Sequence, residues 1–271
     1  APAQGEEQDE AAAASSATTR RANTSARHLD GVHVGVVSET FVEELPDYAR
    51  ENWQSGVDHL ISLGATVREV SIPSSRAAVP AYYIIAPAEA ASNLSRYDGV
   101  RYGHCASEDD VNTQDLDLAS NSAALLHETY AQTRSEGFGE EVQRRLLSGN
   151  FVLSSEAFDD YYRRALLVRA RLRREFAENA FDQGIDVLVG PTTIGAAPRL
   201  ADLETLTPAQ IYASDALTVP ASLAGLPAMS VPHGADPATG LPLGLQLVGN
   251  VDLRRWRQGG CSAAMVRCGR A

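Results

Sequence analysis

The sequence predicts an α/β fold with a mixed central sheet flanked by helices, and three patterns support that assignment. Residues 31–37 (GVHVGVV) and 66–72 are short apolar runs that predict strands, and a segment of helical periodicity separates them. This β-α-β unit indicates a parallel pair of strands with a right-handed crossover. Residues 186–190 predict a further strand. Residues 228–232 and 243–248 predict two more, joined by a loop of Gly, Pro and Asp, so the sheet is expected to be mixed.

The segment between the first two strands predicts a helix that begins at Pro46 and ends at Gly64. Its apolar residues recur at helical spacing and fall on one face, which is therefore expected to be buried. These residues are Trp53, Val57, Leu60 and Ile61.

Three more helices are predicted from the same periodicity. An apolar helix is predicted over 79–94, with a kink at Pro87 because proline removes a backbone donor. A shorter helix is predicted over 139–147, and the longest over 158–181. The buried stripe of the longest helix is predicted to comprise Tyr161, Ala165, Val168, Leu172 and Phe176.

Composition argues against several classes of function. The net charge of -12 argues against nucleic-acid binding by bulk electrostatics. No apolar run reaches about 18 residues, so no membrane span is expected. The three cysteines, an odd number, favour a reducing compartment without a disulfide framework. Cys261 and Cys268 are too widely spaced for a C-x-x-C pair, and no metal site is expected.

Both ends of the chain differ in composition from its middle. Residues 1–28 contain no Val, Ile, Leu, Met or aromatic residue. They are predicted to be a disordered segment, because they cannot bury enough apolar surface to offset the loss of chain entropy. Residues 251–271 lack an apolar stripe and are interpreted as a divergent basic tail whose single acid is Asp252. Residues 29–250 form the predicted folded part, which includes a polar, acidic loop over 104–121.

Several blocks of sequence resemble the amidase signature family. Residues 217–249, LTVPASLAGLPAMSVPHGADPATGLPLGLQLVG, are similar to the closing core of these enzymes. PAYYIIAPAEAASNLSRYDGVRYG at 80–103 is similar to the A subunits of glutamyl-tRNA(Gln) amidotransferases rather than to general amidases. Three further blocks agree in the same order, at 134–162, 186–193 and 211–227. The SGNFVL and GIDVLVGPTTI stretches look most like the mitochondrial form. The resemblance spans residues 31–250 and implies an amidase-signature fold.

The resemblance implies a glutaminase that belongs to a carbon–nitrogen ligase with glutamine as amido donor. In that family a serine, activated through a second serine and a lysine, attacks the side-chain amide of glutamine, and ammonia passes to a partner. The implied partners are the B and C subunits of a heterotrimer. ATP and Mg are expected on the partner that converts Glu-tRNA(Gln) to Gln-tRNA(Gln), and tRNA is contacted only through it. No cofactor is expected in this chain. The expected location is the mitochondrial matrix, or the cytoplasm for a bacterial protein.

The chain departs from the family at the catalytic residues. All 23 of its Lys and Arg residues are arginine, and the Gly/Ser-rich loop that carries the family's two serines is also absent. No catalytic residue is therefore assigned. The fold is predicted to be incomplete, with residues 29–250 as the C-terminal part of an amidase domain, and the chain alone is expected to be inactive. Two alternatives stay open: a fragment of a stand-alone amidase-signature hydrolase, and a non-catalytic binding remnant.

Three residues match the family's glutamine-binding positions: Tyr82, Arg145 and Asp215. Free glutamine is a zwitterion, so its pocket needs a carboxylate for the α-ammonium and a guanidinium for the α-carboxylate. The resemblance assigns Asp215 to the ammonium, Arg145 to the carboxylate, and Tyr82 to a hydrogen bond from the pocket wall. Each has a structural alternative. Asp215 could cap a helix, Arg145 could form a surface ion pair, and Tyr82 and Tyr83 could be core aromatics.

Other polar residues are given structural roles. A group near Pro87 is predicted to form an internal polar network, and the alternative is contact with a partner protein. This group comprises Glu89, Asn93, Arg96 and Asp98. Three histidines have no acid or nucleophile at triad-like spacing, so a Ser-His-Asp site is not supported. They are His104, His127 and His233.

Overall fold

A computed structural model describes residues 29–40, 45–106, 122–203, 207 and 213–251 of the 271-residue chain. Within these residues, five strands form one sheet in the order β2-β1-β3-β5-β4. The strands are β1 (His33–Val37), β2 (Thr66–Val70), β3 (Val187–Pro191), β4 (Ala228–Ala235) and β5 (Pro242–Gly249).

The sheet is mixed, as the sequence predicts. Strand β1 lies between β2 and β3 and is parallel to both, with Val34 opposite Val67 on one side and Val187 on the other. Strand β5 is antiparallel to β3 and to β4. The parallel pair β1–β2 is the predicted β-α-β unit, and the connecting helix provides the crossover that parallel neighbours need.

Besides short 3-10 and π-helical turns, the described residues contain α-helices. They are α1 (Asp47–Ser62), α2 (Ala78–Leu94), α3 (Ser122–Gly137), α4 (Glu140–Val152), α5 (Arg164–Glu175), α6 (Leu200–Leu203) and α7 (Val219–Ala224). Helix α5 continues a π-helical turn over Phe158–Arg163 and runs into a second one over Phe176–Ala180.

The core has two parts, one on each face of the sheet. Alternate residues of each strand point to opposite faces. Accordingly, Val34 and Val36 of β1 pack with Trp53, Val57 and Leu60 of α1. The next residue of β1, Val37, packs instead with buried residues of α2, α5 and α7. The site described below is built from elements on this second face.

Two residues that the sequence predicts to be buried are exposed, so these two predictions are wrong. Ile61 is 49% exposed, although Trp53, Val57 and Leu60 are buried. Successive residues of a helix are about 100° apart, so Ile61 lies beyond the face that Leu60 buries. Tyr161 is 47% exposed, and its ring packs edge-on against Phe151 at 5.9 Å. It belongs to the π-helical turn, whose wider spacing shifts its side chain away from the stripe that Leu172 and Phe176 bury.

Helix α3 was not predicted, since its apolar residues do not repeat on one face. Helix α2 was predicted, and it continues through Pro87 rather than ending there. The polar residues near Pro87 do not form the predicted internal network, because Glu89, Asn93 and Arg96 are exposed. Asp98 instead accepts hydrogen bonds from the backbone N–H groups of Val100 and Arg101 at 3.0 and 3.4 Å.

Some sequence predictions fall outside the described residues. They concern residues 1–28, residues 107–121 of the acidic loop, and residues 252–271, which include Cys261 and Cys268. In the ranges that the structure covers, no helix has the length and apolar character needed to cross a bilayer. The same ranges contain no group of three or more His, Cys, Asp or Glu residues arranged to hold a metal ion.

Candidate substrate-binding site

The candidate site lies where helix α2, helix α4 and the turn before α7 meet. The hydroxyl of Tyr83, on α2, donates a hydrogen bond to Oδ2 of Asp215 over 3.1 Å. The two residues are 132 positions apart in sequence. The contact therefore depends on how the helices pack, and no local pattern encodes it.

Arg145, on α4, approaches the same tyrosine from another direction. Its guanidinium carbon lies 5.7 Å from the centroid of the Tyr83 ring, within the range of a cation–π interaction. One phenol thus contacts a carboxylate through its hydroxyl and a guanidinium through its face. The structure brings Arg145 and Asp215, which were predicted to bind opposite ends of one ligand, to the same aromatic side chain.

Glu141 holds Arg145 from within α4. Nε of Arg145 donates a hydrogen bond to Oε1 of Glu141 over 2.9 Å, one helical turn away. This bond raises the pKa of Arg145 above its ordinary value, partial burial opposes the rise, and Tyr82 adds to it. The guanidinium keeps its positive charge, and its two terminal nitrogens carry further N–H donors.

Tyr82 lies at the site in a different role from its neighbour. Its ring meets that of Tyr83 edge-on, with centroids 5.1 Å apart and an interplanar angle of 82°. Tyr82 also packs against the core on this face of the sheet and interacts with Arg145. The hydroxyl that reaches Asp215 belongs to Tyr83. The hydrogen bond that the resemblance assigns to Tyr82 is one to the ligand, and it stays a prediction.

The structural alternatives for Asp215 and Arg145 have different outcomes. The Asp215 side chain does not cap helix α7, whose N-cap residue is Thr218. Its backbone carbonyl instead accepts hydrogen bonds from the N–H groups of Thr218 and Val219. The carboxylate accepts its hydrogen bond from Tyr83. Arg145 does form an ion pair within its own helix, with Glu141. That ion pair coexists with the contact to Tyr83, so one does not replace the other.

All four side chains at the junction are neither fully buried nor fully exposed: Tyr82, Tyr83, Arg145 and Asp215. Partial burial suits a binding site, because charges there are screened less than on an open surface. Solvent access is also kept, so a small polar ligand can reach the two charges.

A cavity of about 320 Å³ lies next to the Asp215 turn. It opens where the carboxyl ends of β1 and β3 meet, the position at which α/β sheets commonly bind ligands. Three neighbours of Asp215 line it, namely Ala213, Ala216 and Leu217. Two polar groups of its wall are used internally: Glu39 accepts hydrogen bonds from Ser71 and Ile72, and Gln246 donates one to the Leu217 carbonyl. The rest of the wall is mainly apolar, and Thr40, Ser75 and Arg76 are its other polar residues.

Two residues of the site, Tyr83 and Glu141, are not predicted as site residues from the sequence. Glu141 could have been found, because a glutamate four residues before an arginine on a helix predicts an ion pair. Tyr83 could not be distinguished from Tyr82, since both occur in the same PAYY motif and only the orientation of α2 separates their roles.

Comparisons with known proteins identify related families and folds. Residues 4–252 match the profile of a family described as Amidase. This match begins inside the segment predicted to be disordered. The chain is 43% identical over 231 residues to the A subunit of glutamyl-tRNA(Gln) amidotransferase from Ruegeria pomeroyi, covering 85% of this chain and 43% of that protein. It is 48% identical over 228 residues to the same protein of Rhizorhabdus wittichii, covering 84% of this chain and 42% of that protein. The chain therefore spans less than half the length of these curated relatives.

Solved structures agree with the fold. The crystal structure of the glutamyl-tRNA(Gln) amidotransferase A subunit from Thermotoga maritima aligns with a TM-score of 0.55 and 29% identity, over 82% of this chain and 39% of that one. An amidase crystal structure aligns with a TM-score of 0.59 and 24% identity, over 89% of this chain and 45% of that one, and supports the fold alone. The predicted amidase-signature fold is confirmed for the part of the chain that aligns.

Proposed function

Because the chain belongs to the amidase family, we propose that it supplies the glutamine-recognition part of a glutaminase, the A subunit of a glutamyl-tRNA(Gln) amidotransferase. The names of the similar proteins support this choice within the family. The observation that carries it is the meeting of Arg145 and Asp215 at the Tyr83 ring.

The two charges suit the head group of an α-amino acid. Asp215 offers a carboxylate to an α-ammonium, and Arg145 offers N–H donors to an α-carboxylate, a pairing that favours planar, directed hydrogen bonds. An amide without a zwitterionic head group has no use for either charge. The ligand proposed for this site is therefore free glutamine, with its side-chain amide directed away from both charges toward the reacting groups.

The proposed reaction follows the chemistry implied by the family. A serine attacks the side-chain carbonyl of glutamine, ammonia leaves, and water hydrolyses the acyl-enzyme. The sequence contains no lysine, so this chain does not supply the lysine of that chemistry. Arg145, Asp215 and Tyr82 are accordingly proposed as binding residues, and no residue of this chain is proposed as catalytic.

The proposed setting is a heterotrimer with B and C subunits. The partner would bind ATP and Mg, accept the ammonia and convert Glu-tRNA(Gln) to Gln-tRNA(Gln), so that tRNA is contacted through the partner. A net charge of -12 agrees with indirect tRNA contact. The proposed location is the mitochondrial matrix, on the resemblance of the SGNFVL and GIDVLVGPTTI stretches, or the cytoplasm for a bacterial protein.

A non-catalytic binding remnant is the second candidate for the polypeptide as it stands. The absence of lysine favours it. It shares the glutamine site with the first candidate and differs from it only in whether turnover occurs. A stand-alone amidase-signature hydrolase is disfavoured, because two opposite charges at one aromatic ring would be desolvated without benefit in a site for simple amides.

Equilibrium binding to the 271-residue chain tests the proposal. Three amides are compared by NMR-detected titration: L-glutamine, glutaramate, which lacks the α-ammonium, and 4-aminobutanamide, which lacks the α-carboxylate. L-Glutamine is expected to bind more tightly than either of the other two. Equal affinities for all three would favour the stand-alone hydrolase. Binding of none of them would reject the glutamine site.

A further inference from the structure

The geometry at the junction gives a role to a residue that the resemblance did not select, and this role rests on the proposed function. We propose that Tyr83 is a positioning residue that orients both charged side chains toward one α-amino-acid head group. It would not itself contact the reacting amide. The motif residue Tyr82 would act at the carboxylate end alone.

The first part of the argument concerns Asp215. Asp215 lies in the turn over 215–218, between the helical residues 213–214 and α7. Among the described residues, Tyr83 provides the side-chain hydrogen bond that the Asp215 carboxylate accepts, on Oδ2 over 3.1 Å. A carboxylate that accepts one bond keeps lone pairs on both oxygens. Tyr83 therefore fixes the rotamer of Asp215 and leaves acceptor sites for a ligand ammonium.

The second part concerns Arg145. Its Nε donates a hydrogen bond to Glu141 over 2.9 Å. Its guanidinium carbon also lies 5.7 Å from the centroid of the Tyr83 ring. Arg145 pairs with Glu141 and not with Asp215. The Tyr83 phenol contacts both charges, so it can keep the guanidinium and the Asp215 carboxylate apart. A direct ion pair between them would neutralise both charges and remove the recognition of a zwitterion.

Tyr82 supplies a comparison within the same motif. Both tyrosines carry one hydroxyl, are half-buried and lie next to each other on α2. Tyr82 interacts with Arg145 but does not bond to Asp215, whereas Tyr83 contacts both. Removing the hydroxyl of Tyr83 or of Tyr82 in separate variants therefore tests the ammonium end and the carboxylate end of the site independently.

The experiment uses three variants of the 271-residue chain: Tyr83→Phe, Tyr82→Phe and Tyr161→Phe. Tyr83→Phe removes the hydroxyl but keeps the ring beside Arg145. Tyr161 is 47% exposed and distant in role, so Tyr161→Phe serves as the control. Dissociation constants are measured for L-glutamine, glutaramate and 4-aminobutanamide. In parallel, NMR records the side-chain carboxyl carbon of Asp215 and the Nε–H group of Arg145.

Tyr83→Phe is expected to raise the dissociation constants of L-glutamine and 4-aminobutanamide about tenfold, a change of about 1.4 kcal/mol. Both ligands carry the ammonium that Asp215 would bind. Glutaramate should bind as it does to the wild type. Tyr82→Phe should weaken L-glutamine and glutaramate alike, and Tyr161→Phe should change nothing. The Asp215 carboxyl signal should move in Tyr83→Phe but not in Tyr82→Phe.

If Tyr83→Phe lowers the affinity for all three amides equally, Tyr83 has a general structural role and the proposal is overturned. So would unchanged L-glutamine binding. If the wild type binds no amide, the proposed function fails, yet the NMR signals still decide the positioning role. An Asp215 signal that moves only in Tyr83→Phe would support that role, and one that stays unchanged would overturn it.

Discussion

The α-carbon of Gly149 faces the carbonyl group of Pro87 so closely that a β-carbon at this position would overlap it. Gly149 lies one turn beyond Arg145 on α4, and Pro87 lies one turn beyond Tyr83 on α2. The close approach of the two helices at Gly149 therefore sets the distance at which Arg145 meets the Tyr83 ring, 5.7 Å from its centroid. A residue without a side chain thus contributes to the geometry of the charged site.

Gly149→Ala is expected to destabilise the fold by about 1–3 kcal/mol, because a backbone carbonyl cannot move aside as the end of a flexible side chain could. The same variant should weaken L-glutamine binding, since α4 would carry Arg145 away from Tyr83. Unfolding in urea and NMR-detected titration measure the two effects. Gly139→Ala is the matched control, because a β-carbon at Gly139 meets no atom within 4 Å. Equal free energies of unfolding for the two variants would show that α4 can move away from α2 without destabilising the fold.

Arg145→Ala is expected to weaken L-glutamine binding by roughly 2–5 kcal/mol, because the partly buried α-carboxylate would lose its charged partner. Binding of 4-aminobutanamide should suffer far less. Arg144→Ala is the matched control, since Arg144 is an exposed neighbour that pairs with Glu140 and Glu141. Titration of each variant with both ligands makes the comparison. If Arg145→Ala lowers the affinity for both ligands equally, Arg145 serves only as a surface ion pair.

The chain alone is expected to release no ammonia from L-glutamine. The family's reaction depends on a serine nucleophile and a lysine, and loss of such a catalytic group reduces the rate by several orders of magnitude. The sequence contains no lysine. A coupled ammonia assay on the purified chain, with a heat-treated sample as the control, measures the rate. Release well above that control would show that another base in this chain supports turnover.

The stability of the fold is expected to fall in acid, in part through Glu175. Burial by itself would raise the pKa of this carboxyl. Hydrogen bonds from the backbone and hydroxyl of Ser74 and from Arg171 outweigh burial and place the pKa below 4.5, the ordinary value of glutamic acid. A depressed pKa in the folded state stabilises the fold above that ordinary value, and the stabilisation is lost as pH falls through the lower folded pKa.

Glu175→Gln should therefore be less stable than the wild type near neutral pH, by about 1–3 kcal/mol, because hydrogen bonds to a charged group are lost. The difference should shrink below pH 4.5. Urea unfolding at a series of pH values measures it, and Glu178→Gln, at an exposed position, is the control. A difference that stays constant with pH would mean that packing, and not the charge of Glu175, links α5 to the segment around Ser74.

Local sequence patterns were sufficient for the fold class and for most elements. Short apolar runs identified β1 and β3, and the β-α-β spacing identified the parallel pair β1–β2. These predictions succeed because strand and helix periodicity depend on residues only a few positions apart. The resemblance of four ordered blocks selected Arg145 and Asp215, which the structure brings to one ring. The match to an amidase-family profile agrees with those blocks.

The tertiary structure alone decided which tyrosine of the PAYY motif reaches Asp215, which residue holds Arg145 in place, and whether Ile61 and Tyr161 are buried. Adjacent residues on a helix point about 100° apart, so a small rotation of α2 would exchange the roles of Tyr82 and Tyr83. That rotation is set by packing against α4 at Gly149 and against α7 beyond Asp215. Sequence periodicity determines which elements form, and contacts between residues as far apart as 132 positions determine which side chains meet.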